Sequence, residues 1–325
     1  MLFMNYKKIF DPGNPILSTE IPPDIKNLGD RCSKSVYVYD ENIILAVNVA
    51  IAAGRPLLVR GPSGWGKSSL ARNVAYTLGW QYYEQVISSR TQARDLLWEV
   101  DIIRRLQDAQ IKDQLKDFTH YIKPGILWKA FDPESALNQE RKALSSESSS
   151  QFKEQDYDNS CSRAVVLLDE IDKADPDFPN NLLVPLGSLY FTVEETGTKV
   201  ECDSENSPLV FITTNDEREL PTAFLRRCVE LRLSKPKLLE IGKAHFDKNM
   251  DLVEKVASLL ETTKNEQNME QYSIRSYSPS PAEFIDTVNA CIKLDIKPES
   301  INPESDIWKI LKKTIVWKHG RKERG

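Results

Sequence analysis

The chain has 325 residues, 40% of them apolar and 28% charged, with a formal net charge of −5. That length is long for a single core and predicts one large domain with a smaller one. The mild acidity argues against wrapping long nucleic acid. No apolar run reaches the roughly 20 residues of a membrane helix, and MLFMNYKKIFDPGNP lacks the layout of a signal peptide, so a cytoplasmic protein without membrane insertion is expected. Five cysteines (Cys32, Cys161, Cys202, Cys228 and Cys291) and three scattered histidines show no metal-ligand spacing. They read as free thiols in a reducing compartment and as ordinary surface or core imidazoles.

In chain order, DENIILAVNVAIAA (40–53) has a helical apolar face with Asp40 as N-cap. RPLLVR (55–60) reads as a short apolar strand. It runs into GPSGWGKSSL (61–70), and Lys67 to Leu78 reads as a helix. QARDLLWEVDIIRRLQDAQ (92–110) predicts a second helix, with Leu96, Leu97, Val100, Ile103 and Leu106 on its apolar side. Residues 133–163 are polar and rich in Ser, Glu and Gln; they read as a mobile surface segment unable to build a core. AVVLLDE (164–170) is an apolar run ending in two carboxylates, the pattern of a buried parallel strand. A helix is expected around Pro179 to Leu189, a hairpin over YFTVEETGTKVECD, and another buried strand over PLVFITTND (208–216). LPTAFLRRCVELRLS supplies a helical turn and a last strand. The remainder reads as helical from 235, with Ser280 capping a helix that Pro279 and Pro281 bracket. The domains are therefore drawn at 1–234 and 235–325, the first interrupted by an insertion over 88–125.

The chemistry gathers at four places. Gly61, four free positions (Pro62, Ser63, Gly64 and Trp65), Gly66, Lys67 and Ser68 match the phosphate-loop pattern, here set between a strand and a helix as that loop requires. Glycines let backbone N–H groups curl around phosphate oxygens. Lys67 reaches the β and γ phosphates, Ser68 offers a hydroxyl to Mg²⁺ with Ser69 beside it, and the helix N-terminus adds positive partial charge. Asp169 and Glu170 end an apolar strand; Asp169 suits the Mg²⁺ water shell and Glu170 suits polarising an attacking water. Asn215, after the next buried strand, suits orienting that water or the γ-phosphate, with an Asx turn as its bland alternative. Arg226 and Arg227 precede the closing strand and read either as surface ion-pair formers or as a finger reaching a neighbour's γ-phosphate.

In these four features the chain resembles a AAA+ ATPase of the MoxR-like group over about residues 36–295. GPSGWGKS resembles Walker A, VVLLDE Walker B, TTN sensor 1 and LRR the arginine-finger region. SSRTQARDLLWEVDIIRRLQDAQ looks like that branch's insertion beside its second core helix, and YFTVEETGTKVEC resembles its hairpin before sensor 1. The resemblance implies a P-loop NTPase α/β domain of three layers around a parallel sheet, followed by a small helical lid. It implies ATP with Mg²⁺, an adenine pocket that includes Val38 and Tyr39, a homo-hexamer with Arg227 and the adjacent Arg226 entering from the neighbour, and a protein client. A client with a von Willebrand factor A domain is an expectation of the family alone. One departure stands out: where the family carries a sensor 2 arginine at the start of a lid helix, SPSPAEF has Ala282, and Arg275 lies seven residues earlier. A slow nucleotide-dependent switch and a nucleic-acid motor stay open beside the remodelling ATPase; EETGTKVECDSEN is more acidic than basic, which disfavours the motor.

Overall fold

A computed structural model of the chain describes residues 6–13, 36–111, 115–144, 163–246, 248–267 and 279–316. Helix α1 (Glu41–Ala53) starts where the Asp40 carboxylate accepts the Ile43 N–H at 2.8 Å, and stops at Gly54, whose φ of 59° is left-handed. Strand β1 (Leu57–Arg60) follows, then the glycine-rich loop, then α2 (Lys67–Leu78) and β2 (Gln81–Val86). The insertion carries β3 (Trp98–Val100), α3 (Ile102–Gln110) and β4 (Ile122–Pro124), followed by α4 (Ile126–Phe131) and α5 (Pro133–Leu144). Next come β5 (Ala164–Asp169), α6 (Phe178–Asn181), α7 (Leu183–Ser188), the β6–β7 hairpin (Tyr190–Thr192 and Lys199–Glu201), β8 (Leu209–Thr214), α8 (Thr222–Leu225) and β9 (Val229–Arg232). Four α-helices follow, α9 (Leu238–His245), α10 (Met250–Gln267), α11 (Pro281–Lys293) and α12 (Asp306–Leu311), and a π-helical segment (Lys312–Val316) ends the described chain.

Five strands form one parallel sheet in the order β2-β5-β8-β1-β9. All six residues of β8 and the first five of β5 are buried, because strands in the middle of a parallel sheet are covered on both faces and select apolar side chains throughout. Parallel pairing brings the C-terminal ends of β5, β8 and β1 to one edge: Leu168 lies beside Ile212, and Arg60 beside Thr214. That edge is where ligands bind in open α/β sheets.

Two stretches differ from the sequence reading. The single helix expected over 92–110 is broken. A 3-10 turn (Ala93–Leu96) gives way to β3, which pairs antiparallel with β4, and Asp101 then caps a new start at α3 through the Arg104 N–H. Leu96 and Trp98 are buried there, whereas Ile103 and Leu106, expected on the inner face, are 73% and 60% exposed. Of the supposedly coreless segment, residues 133–144 form α5. Its Ala136, Gln139 and Ala143 are buried, and the Gln139 amide donates to the Ile122 carbonyl at 3.1 Å. Small side chains at helical spacing are enough to dock a polar sequence. Residues 145–162 lie outside the described residues.

Two compact units emerge from the contacts. One gathers Tyr39–Arg60 and Leu70–Arg232; the other gathers Gly61–Ser69 and Leu233–Gly325. The second unit has its own core, in which Val253, Val256 and Leu260 of α10 pack with Phe284, Val288 and Cys291 of α11 and with Trp308 of α12. The glycine-rich loop groups with this helical unit rather than with the sheet, because its backbone lies against the start of α11, as described below. Among the described residues no helix is long and apolar enough to cross a membrane.

Candidate functional site

Within the helical unit, the loop is shaped by Gly64 (φ 77°) and Gly66 (φ 82°), both left-handed. At each of them a side chain would also meet a neighbour. A Cβ on Gly64 would lie 2.7 Å from Ser280 Oγ, and one on Gly66 would lie 3.3 Å from the Tyr37 ring. Conformation and space both demand glycine, the condition for a backbone that wraps a phosphate. Trp65 lies against Gly61, with its Cε3 3.8 Å from where a Gly61 Cβ would stand. Lys67 is 7% exposed, and its ammonium donates to the carbonyls of Gly61 (2.7 Å) and Pro62 (3.0 Å), so its charge is already held inside the loop. Ser68 is half-buried, while Pro62, Ser63 and Ser69 are exposed.

The start of α11 closes over this loop. Ser280 caps the helix in a reciprocal box with Glu283, and the Ala282 N–H donates to the Gly64 carbonyl at 3.3 Å. At the position where the resemblance expects an arginine, this chain makes a backbone contact. Arg275 lies outside the described residues.

The sheet unit holds the carboxylates. Asp169 ends β5, and its Oδ1 accepts the Thr213 hydroxyl at 2.5 Å. Glu170 follows at φ 61°, a left-handed conformation uncommon outside glycine, and its N–H donates to Thr213 Oγ1 at 2.9 Å. The Glu170 side chain receives two groups: the Lys173 ammonium on Oε2 at 2.7 Å, and the Asn215 amide nitrogen 3.5 Å from Oε1, the outer limit of a hydrogen bond. The Lys173 ammonium is held above its ordinary range, chiefly by that bond to Glu170. Asp172 is 4% exposed and accepts the N–H groups of Asn215 and Glu217, both at 3.1 Å on the same oxygen.

Arg226 and Arg227 follow α8, and both are exposed. Arg227 donates to the Leu183 carbonyl of its own α7 at 3.1 Å. Val38 is half-buried. Tyr39 hydrogen-bonds the Asn73 side chain of α2 and packs on Phe10 with ring centroids 5.3 Å apart. Asp169, Glu170 and Asn215 thus come together around Thr213, and Lys67 lies with the residues of its own loop. Thr213, Asp172, Lys173 and Tyr37 escaped the sequence reading. A signal existed for the first two: a polar pair closing the apolar strand FITT, and an acid two residues beyond Glu170. Among the described residues no group of three or more acidic, His or Cys side chains is placed to hold a metal ion by itself.

A family model described as AAA domain (dynein-related subfamily) matches residues 56–228. The match begins just before β1 and ends after Arg227, so it contains every motif residue above except Val38, Tyr39 and the α11 cap. No curated protein matches. Among solved structures, a candidate ATPase from Cytophaga hutchinsonii is similar at 16% identity and a TM-score of 0.40, with 83% of this chain and 78% of that one covered. A likeness of that extent carries no weight for function.

Proposed function

Because the chain belongs to the AAA domain family, dynein-related subfamily, we propose that it is a MoxR-like ATP hydrolase working at protomer interfaces to remodel or activate a partner protein. The observation that carries the reading is the edge of the parallel sheet, where Asp169, Glu170 and Asn215 converge at the ends of neighbouring strands. On this reading the loop from Gly61 to Ser69 holds the triphosphate through its backbone N–H groups, and Lys67 turns its ammonium from the Gly61 and Pro62 carbonyls to the β and γ phosphates. Ser68 and Asp169 hold Mg²⁺, which when bound neutralises charge developing on the transferred phosphoryl group. Glu170 takes a proton from the attacking water, and Asn215 orients that water without competing for the ion. Val38 and Tyr39 border the adenine. Arg227, with Arg226 beside it, reaches the γ-phosphate of a neighbour in a homo-hexamer; Arg227 must first release the Leu183 carbonyl. The β6–β7 hairpin and the insertion around β3 and β4 support the MoxR-like branch.

One observation favours a second reading, a slow switch that assembles on ATP. Glu170 already has a lysine on one oxygen, and α11 offers Ala282 instead of an arginine. Light scattering on Glu170→Gln with and without Mg-ATP, together with turnover of the unmodified chain, tests both readings. A shift from 37.1 kDa to roughly six times that mass, with turnover abolished by the substitution, is expected. Glu170→Gln that hydrolyses ATP at the full rate overturns the general-base assignment, and a protomer that binds ATP yet stays monomeric favours the switch.

A further inference from the structure

Two turns leave the sheet edge side by side, one after β5 and one after β8, and each contains a residue in the left-handed region: Glu170 at φ 61° and Asp216 at φ 58°. Such positions are strained for side chains other than glycine and persist where surrounding contacts over-determine them. The contacts here are reciprocal. The β5 turn is held by a residue of β8, since Thr213 Oγ1 accepts the Glu170 N–H and donates to Asp169. The β8 turn is held by a residue of the β5 turn, since Asp172 Oδ2 accepts the N–H groups of both Asn215 and Glu217. The left-handed residue between those two N–H groups turns them toward one oxygen, as in the small backbone concavities that bind anions. Asp216 completes the turn by donating its own N–H to Thr214 Oγ1 at 3.0 Å.

Asp172 keeps this arrangement under unfavourable conditions. Its Oδ1 is buried without a hydrogen-bond partner, and the residue as a whole is 4% exposed. A buried polar atom left unpaired is destabilising and rare enough to call for an explanation. An apolar residue would suit the packing better; it could not hold the β8 turn.

We propose that Asp172 is a positioning residue for hydrolysis: by clasping the backbone on either side of Asp216, it holds the Asn215 side chain in register with the Glu170 carboxylate. Asp172 acts through Asn215 and touches neither nucleotide nor water. The inference rests on the reading of Glu170 as general base and Asn215 as its partner. It implies that the clasp governs the chemical step and leaves nucleotide affinity alone, because the phosphate loop belongs to a different set of contacts.

The test measures binding of a fluorescent ADP analogue, kcat, KM for ATP and thermal melting for Asp172→Leu, Asn215→Ala, the double variant and Glu170→Gln. Asp172→Leu keeps the branching of the side chain and removes the acceptor oxygen on which both N–H groups converge, which Asn would retain. It should bind the analogue as the unmodified chain does, with kcat at least about tenfold lower, equivalent to ~1.4 kcal/mol of barrier, and KM little changed. In the Asn215→Ala background the same substitution should lower kcat by less than about twofold, the scatter expected of non-interacting sites. An undiminished kcat in Asp172→Leu overturns the proposal. So does a fall of the same factor with and without Asn215, which would mark a merely structural acid. If Asp172→Leu gives no cooperative melt, Asp172→Ala, which also lacks the acceptor, carries the same comparison. Full turnover by Glu170→Gln sinks the general-base reading and the clasp with it; normal Glu170→Gln inactivation with additive losses at 172 and 215 sinks the clasp alone.

Discussion

Lys173 lays its ammonium on Glu170 Oε2 at 2.7 Å, three residues along the same turn. With the Asn215 amide near the other oxygen, both carboxylate oxygens of the proposed general base face donors in this structure. The lysine is 45% exposed and the glutamate 29%, so the pair is screened by solvent and contributes little to stability. Its folded-state pKa is raised, so this small stabilisation is complete below the ordinary lysine range and is lost only as pH rises through the raised value. Neutral pH leaves the pair intact, and mutation is the lever. Lys173→Met should free Oε2 to accept from water and raise basal turnover by up to about fivefold, the rate equivalent of the ~1 kcal/mol ceiling of such pairs. Melting temperature should barely move. Steady-state assays at saturating ATP check this; a fall in turnover would mean that Lys173 orients Glu170 for attack instead of occupying it.

The two left-handed glycines Gly54 and Gly64 separate strain from crowding. A Cβ on Gly54 meets nothing within 4 Å, so Gly54→Ala pays only for its conformation, about 1 kcal/mol, and should leave nucleotide binding unchanged. Gly64→Ala carries the same strain and drives a methyl against Ser280 Oγ at 2.7 Å, which must push α11 or the loop aside. Binding of the fluorescent ADP analogue should be lost in Gly64→Ala and kept in Gly54→Ala. Lys67→Ala should lose it as well, through charge rather than shape. Equal affinity in all three would remove the loop from the nucleotide site.

Legibility in the sequence followed the range of the interactions. The glycine-rich turn between β1 and α2, and α2 itself, were readable because glycine freedom, a preceding apolar strand and a following helix are neighbours in the chain. So were β5 and β8, whose burial on both faces leaves unbroken apolar runs. Strand β2 was not: QYYEQV has no alternation, and among the described residues β2 pairs through its backbone with β5 alone while Arg72 and Tyr82 bind Glu84. The helix expected over 92–110 failed because Trp98–Val100 found a partner in Ile122–Pro124. Gly125 lets those strands close, since a Cβ there would lie 2.4 Å from the Leu96 carbonyl. Nothing in EIDKAD sets Asp172 apart from its acidic neighbours; its bonds to the Asn215 and Glu217 N–H groups form only once the β8 turn has folded over it.

Three thiols should be chemically silent in the folded chain. Burial pushes Cys228 up to about 12 and Cys202 up to about 11 from an ordinary 9.0, and burial raises Cys291 as well. Because the thiolate is the reactive form, iodoacetamide at pH 8 should leave these three unmodified in native protein and label them in denaturant. The sign for stability follows from the raised values. Their neutral thiols favour folding below pH 9, and that contribution declines as pH rises from about 9 toward 12. Peptide mapping by mass spectrometry reads the labelling. Rapid native modification of Cys228 would show that its surroundings open more often than the packing implies.

Phe191 is the joint between the hairpin and the insertion. It stacks on Trp98 with centroids 5.8 Å apart and planes 9° apart, meets Trp128 edge-on at 5.8 Å, and lies 6.3 Å from Phe131. The same two elements are tied again where the Trp98 indole donates to Glu195 in the hairpin turn at 2.8 Å. Phe191 is 7% exposed, so Phe191→Ala should destabilise by about 3–5 kcal/mol, the range for a buried aromatic truncated to a cavity. Phe191→Leu, which refills most of the space, should cost under about 1.5 kcal/mol. Trp98→Phe keeps the stack and loses the bond to a charged acceptor, about 1.5–3 kcal/mol. Denaturant midpoints at constant slope measure all three, and tryptophan emission should shift in Phe191→Ala as water reaches the vacated side of the indole. A loss below about 1 kcal/mol in Phe191→Ala would mean that β6–β7 moves independently of β3–β4.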